Sequence, residues 1–335
     1  MKTGKKFIRH IALSFLMCTG FSAQAEIVVM GGNPHGSLFY SMSTAIGATV
    51  TKHSDLKVDI LPQGGSVFYP MMATQEVDFG LVNPIDALAA HSGRPPYDDA
   101  SSGKGFRMRT LMLGSPIRLS LVTTKDSGIT SVSQLKGKRV VANYGAFASS
   151  SVTSAAVLAS HGLTTDDVEV VTVSSYPEGV RAVMEGRAVA AVGSIGSGII
   201  RELDASRGAR ILAADVTPEG IARAREFGQS WSPIRVQEGL PGVEKSIDVL
   251  SYAITIVVRP DLADNTVRKF LESIWDHHSE LKSIFRPLAT WTPDRFASTQ
   301  AVIPYHHAAI DFYREKGVWT AEMKQHQSML TNQRR

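Results

Sequence analysis

Short apolar runs recur along this chain. Each is followed by a glycine- or serine-bearing turn and then by a longer stretch with helical spacing. The first run is Glu26–Gly31, where Ile27, Val28, Val29 and Met30 stand in a row. Such a run fits a strand covered on both faces, because a half-exposed strand would alternate apolar and polar residues. A helix is predicted over Leu38–Lys52, and Leu56–Leu61 reads as the next strand. Gly64-Gly65-Ser66 opens a second helix, and Val77–Val82 is a third strand. This order belongs to α/β architecture with a doubly wound, mostly parallel sheet.

The stretch Ser92–Gly105 is rich in Gly, Pro, Ser and Asp and reads as a loop. Strands are predicted at Arg109–Gly114 and Leu119–Thr124. The pattern then restarts, with strands at Lys138–Asn143, Val168–Val173 and Ala188–Val192. Helices at Ser149–Ser160, with Gly162 as its C-cap, and at Pro177–Glu185 separate them. Thr217–Glu244 carries several Pro and Gly and reads as irregular. Ile254–Val258 is a further strand, and Asn265–His278 and Ala308–Lys316 are helical. One α/β unit therefore lies inside another. The expected division is a first lobe of residues 26–118 plus 255–335 and a second of residues 119–254, with a ligand cleft between them.

The N-terminus stands apart from this pattern. Lys2, Lys5, Lys6 and Arg9 precede the apolar stretch Ile11–Phe21, and Ala23-Gln24-Ala25 follows. That order is a secretory signal peptide over residues 1–25, too short in its apolar part to anchor in a bilayer. Cys18 is preceded by Leu16 and Met17, where a lipidation site would want small residues. Cleavage near Glu26 would leave a periplasmic chain without cysteine, hence without a disulfide, a thiolate nucleophile or Cys-ligated zinc. The 35 Lys and Arg outnumber the 31 Asp and Glu by four, and the four bases of the leader supply that excess. The rest of the chain is neutral, so charge gives no support to a nucleic-acid partner.

Four places share the plan of strand, Gly/Ser turn and helix: Gly31–Ser37, Gln63–Ser66, Asn143–Ser151 and Gly193–Gly198. In open α/β sheets such turns lie at the carboxyl ends of the strands, where ligands bind. Each helix start offers free N–H groups and a positive dipole end. Serine hydroxyls add donors, and glycine lets the backbone approach, a combination suited to a small anion such as a carboxylate. Serine also favours these positions simply as an N-cap. The sequence NYGAFASSS places Ser149, Ser150 and Ser151 at a helix start, with Tyr144 and Phe147 as candidate walls. Arg118, beside the lobe crossing, is a candidate bidentate partner for a carboxylate.

Enzyme signatures are missing. GSIGSG (Gly193–Gly198) is not the G-x-S-x-G elbow, and no phosphate-binding G-x-x-x-x-G-K-[ST] occurs. His277-His278 and His306-His307 are sequence neighbours, which on a helix do not face one way, and no H-E-x-x-H accompanies them. No metal site, cofactor or catalytic residue is assigned.

Several segments, in order, resemble the TAXI family, the extracytoplasmic solute-binding subunits of TRAP transporters. They are GGNPHGSLFY (Gly31–Tyr40), LPQGGSV (Leu61–Val67), VDFGLVN (Val77–Asn83), SGITSVSQLKGKRVV (Ser127–Val141), LASHGLTTDDV (Leu158–Val168) and PYHHAAIDFYREKGVW (Pro304–Trp319). The resemblance implies a two-lobed, type II-like periplasmic binding protein. Such a receptor would act as a monomer and deliver a glutamate-like or dicarboxylate-like ligand to a TRAP-type permease. It carries Ser37, Phe39, Ser66 and Asn83 into the ligand site, with Arg118 and the Tyr144–Ser151 loop. Phe68 and Tyr69 stand where the family usually has Glu-Asn, and the family's glycine-rich loop is replaced by Tyr144–Ser151. These departures, with Tyr69 as a site residue, imply a more aromatic cleft with its own ligand preference. Two other readings fit the residues: a binding protein serving a sensor kinase or another transporter, and a secreted ester hydrolase.

Overall fold

A computed structural model describes residues 25–145 and 147–332. Residues 1–24 of the predicted signal peptide, Cys18 included, lie outside the described residues. Strand β1 is Glu26–Gly31, and helix α1 (Leu38–His53) follows it. Then come β2 (Leu56–Leu61), α2 (Gly65–Ala73), β3 (Phe79–Val82), α3 (Pro84–Ser92) and the short α4 (Asp98–Ser101). The long strand β4 (Arg109–Thr124) leads into β5 (Arg139–Asn143), α5 (Ala148–Ser160), β6 (Glu169–Thr172), α6 (Tyr176–Met184) and β7 (Ala191–Ser194). Next are α7 (Gly198–Arg207), β8 (Ala209–Ile211), α8 (Pro218–Arg225), β9 (Ser232–Val236) and a second long strand, β10 (Ile247–Val258). The chain ends with α9 (Asp264–Ile284), α10 (Pro293–Phe296), α11 (His307–Glu315) and α12 (Ala321–Asn332).

The strands pair in the order β2-β1-β3-β10-β4-β7, with β9 on β10 and β8 on β4, and β5-β6 form a separate pair. Pairing is parallel within β2-β1-β3 and within β5-β6. It is antiparallel wherever β4 or β10 takes part, so the sheet as a whole is mixed. The architecture has two lobes. On one side α1, α2, α3 and α9 flank β1–β3; on the other α5–α8 flank β5–β7. β4 and β10, hydrogen-bonded to each other from Arg109↔Val258 to Leu119↔Leu250, run through both.

Several differences from the sequence reading have local causes. The two strands predicted at Arg109–Gly114 and Leu119–Thr124 are one, because Pro116 sits beside a register shift where its missing N–H costs little. The region Thr217–Glu244 is not irregular throughout. Thr217 caps α8 by accepting from the Gly220 N–H, and Pro218 takes its first position. Pro233 is tolerated in β9 because that strand pairs only with β10, at the sheet edge.

Most of the core is one continuous apolar cluster spanning both lobes. A smaller cluster gathers Phe68, Tyr69, Met72, Val82, Tyr97 and Phe106 under α2 and α3. The Phe68 ring fills the space where side chains on Gly31 and Gly80 would otherwise sit.

Candidate functional site

A cavity of about 640 Å³, its open mouth included, lies between the lobes. Five helices present their first turns to it: α1 with Leu38 and Phe39, α2 with Gly65, α3 with Asp86, α5 with Ser149 and Ser150, and α6 with Tyr176. Their positive dipole ends and unpaired amides therefore converge on one space. Each helix begins where the sequence stops a strand with a turn. Ser37 caps α1, its Oγ accepting from the Tyr40 N–H at 3.0 Å, which leaves the hydroxyl proton available. Asn83 caps α3, its Oδ1 accepting from the Ile85 N–H at 2.8 Å, with Pro84 in the first turn. Phe147 precedes α5 and supplies no side-chain cap, so no side chain covers that helix start.

Two residues of the lining each hold a buried polar atom without a hydrogen-bond partner: Asn83, at Nδ2, and Ser194, at Oγ. They come from opposite lobes. Burying such atoms without a partner costs on the order of 1–3 kcal/mol each. The Ser194 backbone N–H, by contrast, donates to the Tyr176 hydroxyl at 3.0 Å.

Asp86 is the only ionisable acid or base of the Asp, Glu, Lys, Arg and His types in the lining, among the described residues. Tyr69 and Tyr97 donate to its two oxygens at 3.0 and 2.6 Å. Burial raises the Asp86 pKa to about 6, and the two tyrosine hydrogen bonds oppose that rise. Tyr69 and Tyr97 are themselves pushed above the usual phenol range, by burial first and by the Asp86 charge second. Burial likewise pushes Tyr176 up to about 12. Phe68, Tyr69, Tyr176 and Tyr252 make this an aromatic cavity.

The lobes touch around it. A Cβ on Gly64 would stand 2.3 Å from the Phe147 ring, and one on Gly228 would stand 2.6 Å from Ile85. Both pairs join the two lobes.

Of the residues singled out from the sequence, the cavity brings together Ser37, Phe39, Tyr69, Asn83, Ser149 and Ser150. Four do not line it. Tyr144 is fully buried in the second lobe, where its hydroxyl accepts from the Val192 N–H at 2.7 Å and Gly179 makes room for its ring. It is a core residue. Ser151 accepts from the Tyr144 N–H at 2.9 Å and so braces its own loop. Ser66 lies one residue past Gly65, which does line the cavity. Arg118 stands between Ile117 and Leu119, both in the lining, and strand alternation turns it to the other face. Its guanidinium lies beside Gly196, half-buried, with its pKa lowered by burial and no ion-pair partner among the described residues. Sequence reasoning missed Asp86 and Tyr176. Asn-Pro-x-Asp is a helix-start pattern, but nothing in it signals burial of the acid.

The histidine pairs fall outside the cavity. His278 Nδ1 lies 2.8 Å from the Trp275 carbonyl oxygen, while the His277 ring stacks on His53. The rings of His306 and His307 do stack, at 4.3 Å between centroids, because His306 is the cap and not yet helical.

The family profile that fits this chain matches residues 30–317. The chain belongs to the NMT1-like family. Among solved structures, this NMT1-like chain is similar to PhnD1 from Prochlorococcus marinus (MIT 9301), solved with methylphosphonate. The identity is 12%, the TM-score 0.53, and the match covers 88% of this chain and 99% of that one. It is also similar to a protein from Bordetella bronchiseptica RB50, with 16% identity, a TM-score of 0.50, and coverage of 86% and 88% respectively. The fold of this family member is the two-lobed one of periplasmic solute-binding proteins. No helix among the described residues is long and apolar enough to cross a membrane.

Proposed function

We propose that this protein is a periplasmic solute receptor without catalytic activity. It would take up a small carboxylate-bearing molecule, an organic acid or an amino acid, between its lobes and pass it to a TRAP-type membrane permease. The permease assignment rests on the TAXI resemblance of the six segments named above, and export rests on the leader pattern of residues 1–25. The receptor would work as a monomer, with lobes of residues 26–118 plus 255–335 and 119–254. The β4–β10 ribbon crosses between them and would carry the hinge.

The observation that carries this reading is a pair of residues lining one cavity from opposite lobes, Asn83 and Ser194, each with a buried polar atom that lacks a partner. Ligand groups that reach both would satisfy them and hold the lobes together, which is how a ligand favours a closed state. No cationic side chain lines the cavity among the described residues, so the carboxylate would be held by helix amides and the hydroxyls of Ser37, Ser149, Ser150 and Ser194. Asp86 lies at the aromatic end. It favours a ligand that brings an amine or hydroxyl there over one that brings a second carboxylate.

The test is a thermal-shift screen of amino acids and C4–C6 organic acids, followed by mass spectrometry of the recovered compound. A ligand at a hundred times its Kd stabilises by about 2.7 kcal/mol. A saturable shift with one acid, returned unchanged, supports the receptor. Turnover of that compound, or saturable shifts only with compounds lacking a carboxylate, overturns the reading. The Trp231 ring lies 5.2 Å from that of Tyr252, a lining residue, at a tilt of 58°, and gives a fluorescence check on the same titration.

A further inference from the structure

The β4–β10 ribbon has a second cavity on its reverse face. Tyr252 and Ile117 are register partners, and both line the cleft. The next pair, Ala253 and Pro116, lines a separate cavity of about 930 Å³, its open mouth included. Side chains alternate across a strand, so the two cavities lie back to back with the ribbon between them. That size falls within the roughly 300–1,000 Å³ of small-molecule sites. β9, from Ser232 to Ile234, forms one bank, and residues between Asp294 and Gln300 form the other. In the proposed division these banks belong to the second and the first lobe, so this cavity also spans both.

We propose that this reverse cavity is a second ligand site, for a small neutral polyhydroxyl compound, a polyol or a monosaccharide. Ser251, a lining residue on the ribbon, is 1% exposed, and its hydroxyl has no hydrogen-bond partner among the described residues. Folded proteins rarely leave such a group unpaired. Two further hydroxyls of the lining keep part of their capacity. Ser232 Oγ donates to the Ser251 carbonyl oxygen at 3.2 Å and can still accept. Ser298 Oγ accepts from the Gln300 N–H at 3.1 Å and can still donate. A ligand hydroxyl donates and accepts at one atom, so it matches all three. A carboxylate would meet no cation on the ribbon side of the lining, among the described residues. Asp294 and Arg295, the charges of the lining, are exposed neighbours of opposite sign on the rim, so they cancel rather than select an ion. Arg118 pairs with Ser251 in register, but its guanidinium reaches toward Gly196 and not into this lining. Pro116, Pro233 and Ala253 offer apolar surface to the C–H groups of a sugar-like skeleton.

The site stands apart from the receptor reading of the cleft. An occupant would touch both lobes from behind the ribbon and bias how far it bends, because a molecule that fits one state better shifts the balance toward that state.

The experiment is a titration of the protein with glycerol, myo-inositol and glucose at millimolar concentration, read by calorimetry and thermal shift. At high concentration excluded osmolytes stabilise proteins in general, so saturation is the criterion. At least one of the three should bind saturably. Ser251→Ala and Ser298→Ala should each weaken that binding about fivefold, the loss expected for one hydrogen bond. Melting curves without ligand check that each variant folds. Ser149→Ala combined with Ser150→Ala alters only the cleft and should leave polyol affinity unchanged. Three results overturn the proposal: no saturable binding of any of the three, binding indifferent to Ser251 and Ser298, or binding lost in the cleft variant. Amide chemical shifts of the unaltered protein give a reading independent of variants. Changes centred on β9 and residues 294–300 support the site, and changes centred on the cleft helices overturn it. None of these failures bears on the carboxylate screen, which reads the cleft.

Discussion

The two walls of the cleft are built on opposite plans. The first-lobe wall is locked: Phe68, Tyr69 and Tyr97 are buried, their rings pack edge to face, and two hydroxyls hold Asp86. The second-lobe wall is open: Phe147, Ser149 and Ser150 are half-buried, and their helix lacks a side-chain cap. A wall whose side chains already satisfy one another is preorganised and discriminates by shape. A wall with donors still to be paired supplies the contacts a ligand completes. Stability should therefore be concentrated in the first wall and affinity in the second.

The largest test of that contrast is Phe68→Ala. Truncating a buried phenylalanine costs about 3–5 kcal/mol, read from urea unfolding. Phe147→Ala should cost much less stability and instead weaken ligand binding. Equal destabilisation by both would break the comparison.

Next comes Asp86. Its pKa is near 3.8 in the unfolded chain and about 6 in the folded one, so the folded state binds more protons between those values. Stability contributed by this group is therefore greatest below pH 4, falls as pH rises to 6 and is level beyond. The fall is on the order of 3 kcal/mol for a shift of about two units. Unfolding free energies measured from pH 4 to 7 should show that slope, and Asp86→Asn should remove it.

Gly64→Ala sharpens the comparison at the contact between the walls. The added Cβ would drive into the Phe147 ring. Affinity should drop about tenfold, or 1.4 kcal/mol, with the melting temperature of the ligand-free protein little changed. The smallest effect is Ser149→Ala or Ser150→Ala, each removing one hydroxyl worth about 1 kcal/mol to the bound ligand. Calorimetry that finds affinity unchanged in the double variant would leave only the helix amides as anchors.

Much of this fold was legible because apolar runs are a strong signal. The bounds of β1 and β2 follow directly from Ile27–Met30 and Leu56–Leu61, and α1 from its capping serine. Less legible were elements whose reason to exist is tertiary. β9 is five residues long, mixes Ser232 and Arg235 with Ile234 and Val236, and carries Pro233, and it is a strand only because β10 offers it an edge. α12 has little apolar pattern, and only Leu330 is buried. The cleft was legible in its turns, since each of the four Gly/Ser turns contributes to the lining. It was illegible in its depth. Tyr144 and Ser151 look like ligand contacts from spacing alone, yet one fills the core and the other braces a loop. Asp86 looks like an ordinary first-turn acid, and only the fold places two tyrosines over it.

The two chain crossings between lobes are neighbouring strands of one sheet. β4 and β10 are hydrogen-bonded along most of their length, so they bend as one ribbon and cannot swing independently as two loose tethers would. A ribbon flexes easily across its face and hardly at all within its plane. The lobes are therefore restricted to something near a single rotational coordinate, which would bring the same donors to the same meeting point on every approach. Substitutions in the ribbon away from the cavity lining, at Leu250 or Ser251, should accordingly retune how fast the halves meet more than which molecule they accept.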